Sequence, residues 1–216
     1  MTFTMRYLIY SAVFFALTTF FACSQASEYK RMEARELASG ERHDSMFLGI
    51  FLGMKSKDFY THCWEMNKKG LIKEGMNNSS VQYIPRELKH PGKMYFYPKV
   101  WEEKIYEMPI VFTYDAWAPW NKELFADSLQ LDVRRMFEAW YGEGFIEITH
   151  PQRGPAFVKM DGNRRITIWK EDDQHVKASI TDVPTEKIVE AQLAEKERER
   201  ERERERRERE RRERER

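Results

Sequence analysis

The chain has 216 residues, a formal net charge of +1 and 14% aromatic side chains, enough length and bulk for one domain with a real core. The near-zero charge hides a division: residues 195–216 hold twelve basic and ten acidic side chains, which leaves the rest slightly acidic. A body without basic excess excludes nucleic acid as a partner, and two cysteines, Cys23 and Cys63, exclude a disulfide scaffold.

At the N-terminus Arg6 precedes an apolar run from Tyr7 to Ala22. The run is shorter than the roughly 20 residues that a membrane-spanning helix needs. Its order of cation, apolar stretch and small residue is that of a signal peptide over residues 1–22. It ends Phe20-Phe21-Ala22-Cys23-Ser24, which resembles the lipobox of bacterial lipoproteins, with Phe20 in place of the usual Leu. The resemblance implies cleavage before Cys23, acylation of its thiol and a membrane partner through that lipid anchor. Ser24 is not the Asp that tends to retain Gram-negative lipoproteins at the inner membrane, so the resemblance implies the outer membrane. Cleavage after Ala26 to give a soluble exported protein, and a plain membrane anchor, stay open. Residues 23–38 then read as anchor and charged tether, partly helical, ahead of a domain at 39–183 and a tail at 184–216.

Met46–Gly53 is apolar with two glycines and reads as a buried leading segment or a short strand. Ser56 and Asp58 open a helix over Lys57–Lys69, stopped by Gly70. Its apolar face combines Phe59, Cys63 and Met66, widened by Trp64 and Leu71. Strand-like runs come next at Val81–Ile84, Lys93–Tyr97 and Ile105–Tyr114, with Pro85, Pro91, Pro98 and Pro109 among them, so short or edge strands are expected. Asn121 caps a second expected helix, Lys122–Trp140, whose apolar face includes Leu124, Leu129, Leu131, Val133, Met136, Phe137 and Trp140. Four more strand runs complete the body: Phe145–Thr149, Ala156–Met160, Arg164–Lys170 and His175–Thr181. Asp161-Gly162-Asn163 signals a hairpin between two of them. The expected fold is α+β, two successive helix-plus-antiparallel-strands units in one domain, without sequence identity between the halves. The Gly53-Met54-x-x-x-Asp58-Phe59 opening resembles the first helix of small outer-membrane assembly lipoproteins of the SmpA/OmlA type, where a Gly-Met turn starts a helix packed on a sheet. Cys23 with this body also resembles an uncharacterised family of Gram-negative lipoproteins, which implies a location and no activity.

Candidate chemistry is sparse. The histidines have no metal-like spacing, and glycine-rich phosphate loops and the Gly-x-Ser-x-Gly elbow are absent from the sequence. No catalytic residue, metal or cofactor is therefore expected. Cys63 reads as a core thiol rather than a nucleophile, because it lies on the apolar helix face. Asp115 with Trp117 and Trp120 is a possible ligand platform for a sugar; the competing reading is a hydrophobic hinge between the halves. Glu171, Asp172 and Asp173 read as a solvated hairpin tip before a cation site. Lys68, Lys69 and Lys73 read as a lipid-facing basic edge, with cations favoured at a helix end as the competing reading for the first two. The Glu/Arg tail reads as a solvated helix without an apolar stripe, either an expanded repeat or an arm for a partner. Taken together, the sequence leads to the expectation of an envelope lipoprotein with a non-catalytic binding or structural role, envelope proteins being candidate partners. A glycan or peptide hydrolase centred on Asp115 or Cys63 is the alternative.

Overall fold

A computed structural model describes residues 27–75, 79–150 and 154–214; the expected signal peptide and Cys23 lie outside the described residues. Helix α1 covers residues 27–39. The first unit comprises α2 (Ser56–Lys68), β1 (Lys73–Glu74), β2 (Val81–Tyr83), β3 (Gly92–Phe96), β4 (Lys99–Trp101) and β5 (Lys104–Tyr114). The second comprises α3 (Ala126–Tyr141), β6 (Ile146–His150), β7 (Gly154–Asp161), β8 (Arg164–Lys170) and β9 (His175–Asp182), and α4 (Val183–Arg214) comes last. The fold is α+β, with all strands in one antiparallel sheet ordered β1-β2-β3-β5-β9-β8-β7-β6, and β4 pairing β5 beyond the end of β3. The last strand of each unit therefore meets its counterpart at the sheet centre, where Ile110 faces Ala178.

Alternation along the strands divides the sheet into two faces. One face runs through Phe96, Ile110, Ala178, Ile168 and Phe157, all buried beneath α3 and the segment before α2. Phe137 of α3 meets Phe112 edge-on at 5.9 Å, and Phe47 meets Phe96 at 4.9 Å. In the Met46–Gly53 stretch Met46, Phe47, Ile50 and Leu52 are buried and Phe51 is exposed, and the stretch is a turn rather than a strand: Leu48 (φ 54°) and Gly49 (φ 77°) reverse the chain, and only Ser45 and Phe51 form a bridge.

Pro109 overturns the expectation of short or edge strands. It sits inside β5, which is 11 residues long and central. Its carbonyl accepts the Tyr97 N–H at 3.4 Å. In extended backbone the N–H of a residue points to the same side as its carbonyl, so the donor that proline lacks faces the place where β3 ends and β4 begins. The sheet loses no ladder bond there.

The helix faces also differ from the sequence reading. Leu131 is exposed, while Gln130 and Asp132 are buried in its stead. Gln130 donates to the carbonyls of Pro155 (3.3 Å) and Ile168 (3.4 Å), and Asp132 accepts from the Lys89 N–H (3.0 Å), from the Tyr114 hydroxyl and from Arg135. Polar groups with partners replace an apolar side chain on that face. Asn121 caps only a short 3₁₀ turn at Lys122–Leu124, without a side-chain bond. The chain is extended at Phe125, and the first N–H of α3, that of Ala126, donates to the Asp173 carbonyl at 2.9 Å. In α2, Phe59 and Met66 are buried as expected, but Trp64 and Leu71 are exposed at 58% and 54%.

Candidate functional site

The second face of the sheet is covered only in part. Tyr95, Val111, Lys177, Trp169, Ala156 and Ile148 stand side by side on it from β3 across to β6. At one end Arg165 binds Tyr29 of α1 at 3.3 Å and Glu186 of α4 at 2.5 Å, and Val158, Met160 and Thr181 are buried there. At the other end α1 and α4 give no cover. There Tyr95, Tyr97, Pro109, Val111, Thr113 and His175, with Ser79 and Ser80, line a trough of about 390 Å³. Its floor is mostly apolar because β5 places Pro109 and Val111 on this side, in alternation with Ile110 and Phe112 in the core.

Charges ring the trough in pairs. Lys93 Nζ lies 2.7 Å from Asp115, and that hydrogen bond pushes the lysine above its ordinary value. Lys177 Nζ lies 2.8 Å from Glu171 and holds that carboxyl below its ordinary value. His175 Nδ1 is 2.9 Å from Asp172, whose carboxylate also accepts the backbone N–H groups of Gln174 (2.8 Å) and His175 (2.7 Å). Burial alone would raise Asp172, but His175 and these N–H groups outweigh it and hold the carboxyl low. At the hairpin tip Asp172 thus serves its own turn and Glu171 pairs with Lys177. Gln174 Nε2 reaches Thr113 Oγ1 at 3.5 Å, and the Tyr97 and Tyr60 hydroxyls meet at 2.6 Å. A floor of this kind fits an uncharged ligand with a flat apolar side and hydroxyl or amide edges.

Two of the platform residues have partners of their own. Asp115 is engaged by Lys93. Trp117 donates its indole N–H to the Asp173 carbonyl at 3.1 Å and packs on Phe125 at 6.0 Å. Trp120 is 86% exposed. Cys63 is half-buried on α2; burial pushes its thiol up to about 11. The adjacent His62 is turned away, with Nε2 at 2.7 Å from the Leu48 carbonyl. Among the described residues no cluster of three His, Cys, Asp or Glu side chains could hold a metal, and no helix is long and apolar enough to cross a membrane.

Tyr95, Tyr97, Val111 and His175 escape a reading of the sequence as a candidate site. The alternation Lys93-x-Tyr95-x-Tyr97 does put two tyrosines on one face, but nothing local says that this end of the face is left uncovered. No family model, no curated protein and no solved structure matches this chain.

Proposed function

We propose that the protein is an exported envelope lipoprotein, anchored through Cys23 and facing the periplasm from the outer membrane, that binds an uncharged glycan-like ligand without transforming it. The observation that carries the binding role is the half-covered sheet face. Folding buries nearly all of the other face, and α1 and α4 bury one end of this one. An apolar, tyrosine-flanked trough remains open at the other end, where Lys93 pairs with Asp115 and Lys177 with Glu171. Sugar rings stack on flat aromatic faces and take hydrogen bonds from hydroxyl and amide groups, which Tyr95, Tyr97, Thr113 and Gln174 supply. The Ala22-Cys23-Ser24 motif after an apolar run supports the anchor.

Two measurements test this reading. Intact mass of the protein from its native envelope is expected to show acyl chains and a start at Cys23; an unmodified start at Ser27 overturns the anchor. Titration with soluble glycan-strand fragments is expected to give saturable binding that Tyr95→Ala weakens at least about tenfold, the loss of one stacking partner in a shallow site. Equal binding by the two proteins overturns the trough. The His175–Asp172 pair on its rim favours a second reading, a glycan or peptide hydrolase. Turnover abolished by His175→Gln would establish that reading over the first.

A further inference from the structure

The outward side of α2 carries residues that a core helix should not show. With about 100° of rotation per residue, Lys57, Tyr60, Trp64 and Lys68 share the side opposite Phe59 and Met66. Tyr60 is 55% exposed and Trp64 58%; Leu71, just past the helix, is 54% and Tyr97 is 43%. Lys68 Nζ sits 3.4 Å from the centre of the Trp64 ring. Residues 55–74 hold five lysines against three acids, within a body that is otherwise slightly acidic.

We infer that this face of α2 is a lipid-contact surface, docking on the anionic headgroup layer of a bilayer. The side-chain set favours lipid over a partner protein. Tyr and Trp are amphipathic rings that settle at the headgroup level, and lysine stems lie along apolar surface while the ammonium reaches for phosphate. Tyr and Trp also anchor protein interfaces, but lysine is depleted from them, because its ammonium would lose hydration in that contact. The lysine excess matches the negative charge of the lipid. The apolar area is small, so this face alone would bind weakly; it serves to orient a body already held by a second anchor. The inference thus rests on the membrane-tethered reading above. Tyr97 borders both this face and the trough, and its hydroxyl meets that of Tyr60 at 2.6 Å. Docking through α2 would set the mouth of the trough beside the membrane surface.

The test uses the full chain in vesicles of phosphatidylethanolamine and phosphatidylglycerol that contain acyl chains brominated near the headgroup. Wild-type tryptophan emission is expected to be quenched, with most of that quenching lost in Trp64→Phe. Salt at about 0.5 M, or the triple variant Lys57→Gln/Lys68→Gln/Lys69→Gln, is expected to reduce it several-fold. All four side chains are solvent-facing in the fold, so thermal melting in detergent serves as the control for folding and is expected to stay unchanged. A chain that floats with the vesicles while wild type and Trp64→Phe are quenched equally overturns the docking face and leaves the anchor standing. A native protein without acyl mass overturns the anchor, and Trp64 quenching then bears on α2 alone.

Discussion

Asn163 is 3% exposed, and each polar atom of its side chain is bonded. Its Oδ1 accepts the His43 N–H at 2.6 Å, while Nδ2 donates to Asp44 at 3.0 Å and Asp182 at 2.8 Å. Its carbonyl also accepts the Val183 N–H at 2.9 Å. One residue thus joins the segment before the first unit, the β7–β8 turn, the end of β9 and the start of α4. Asn163→Ala leaves the buried Asp182 carboxylate, the part-exposed Asp44 carboxylate and the His43 N–H each short of a partner, so a loss of about 1–3 kcal/mol is expected in chemical denaturation. Gly162 beside it has φ +52°, and a Cβ there would stand 2.2 Å from the Glu41 carbonyl oxygen. Gly162→Ala should cost about 2 kcal/mol or more, since backbone rather than a flexible side chain must yield. Stability unchanged in either variant would mean that this junction does not hold the fold together. Cys63 allows a test by pH. Its raised value means that the fold favours the neutral thiol, so the stability linked to it is intact at neutral pH and is lost as pH rises toward about 11. Labelling of the folded chain by a thiol reagent should be slow near pH 7 and climb steeply above pH 9; fast labelling near neutrality would contradict the buried thiol.

At the scale of elements, Arg165 is the contact that α1 and α4 share. Glu33 and Lys187 add an ion pair at 2.6 Å between the two helices, and Glu36 accepts the Gly162 N–H at 3.3 Å. Burial pushes the Glu186 carboxyl up, and Arg165 opposes that, so removing the arginine leaves an acid poorly solvated. Arg165→Ala should therefore free α1: hydrogen exchange of 27–39 is expected to accelerate while β5 and β9 keep their protection. Unchanged protection would assign the docking to apolar contacts instead. From sequence this segment reads as a tether, because it is charged and its partners lie more than a hundred residues away. Elements with strong periodicity are legible: α2 and β8 match the expected spans within a residue or two. Pro109 misleads, because the gap that excuses its missing donor is made by two other strands. Leu131 and Asp132 mislead because helical spacing cannot foretell that a carboxylate will find Tyr114, Arg135 and a backbone N–H in the interior. The trough is illegible for a similar reason. Its residues come from separate strands, and what defines it is where the cover by α1 and α4 stops.

For the molecule as a whole, α4 marks the boundary between the packed body and the charged tail. Val183 and Val189 are its buried residues, and from Glu195 to Arg214 every described side chain is exposed. The helix measures about 48 Å at the usual rise per residue, so much of it stands clear of the sheet. What holds the outer part together is local: Glu203 and Arg207 pair at 2.6 Å, Glu195 and Arg198 at 3.3 Å and Arg206 and Glu210 at 3.8 Å. Exposed helix pairs contribute about 0.3–0.5 kcal/mol each, and like charges at i+4 along the strict Glu-Arg alternation oppose them. The outer helix should therefore unravel in about 1 M salt while the sheet stays intact, seen as a partial loss of helical circular dichroism without a change in tryptophan emission. Deleting 195–216 removes no buried apolar surface, so the melting temperature of the body should be nearly unchanged. The near balance of charge makes attraction to an anionic surface weak, and a strain carrying the truncated protein should fractionate and resist detergent like its parent. A large drop in melting temperature would show that the tail docks on the body. An envelope defect with the body's stability intact would instead make the tail a working arm, one that reaches its partner by charge pattern and length.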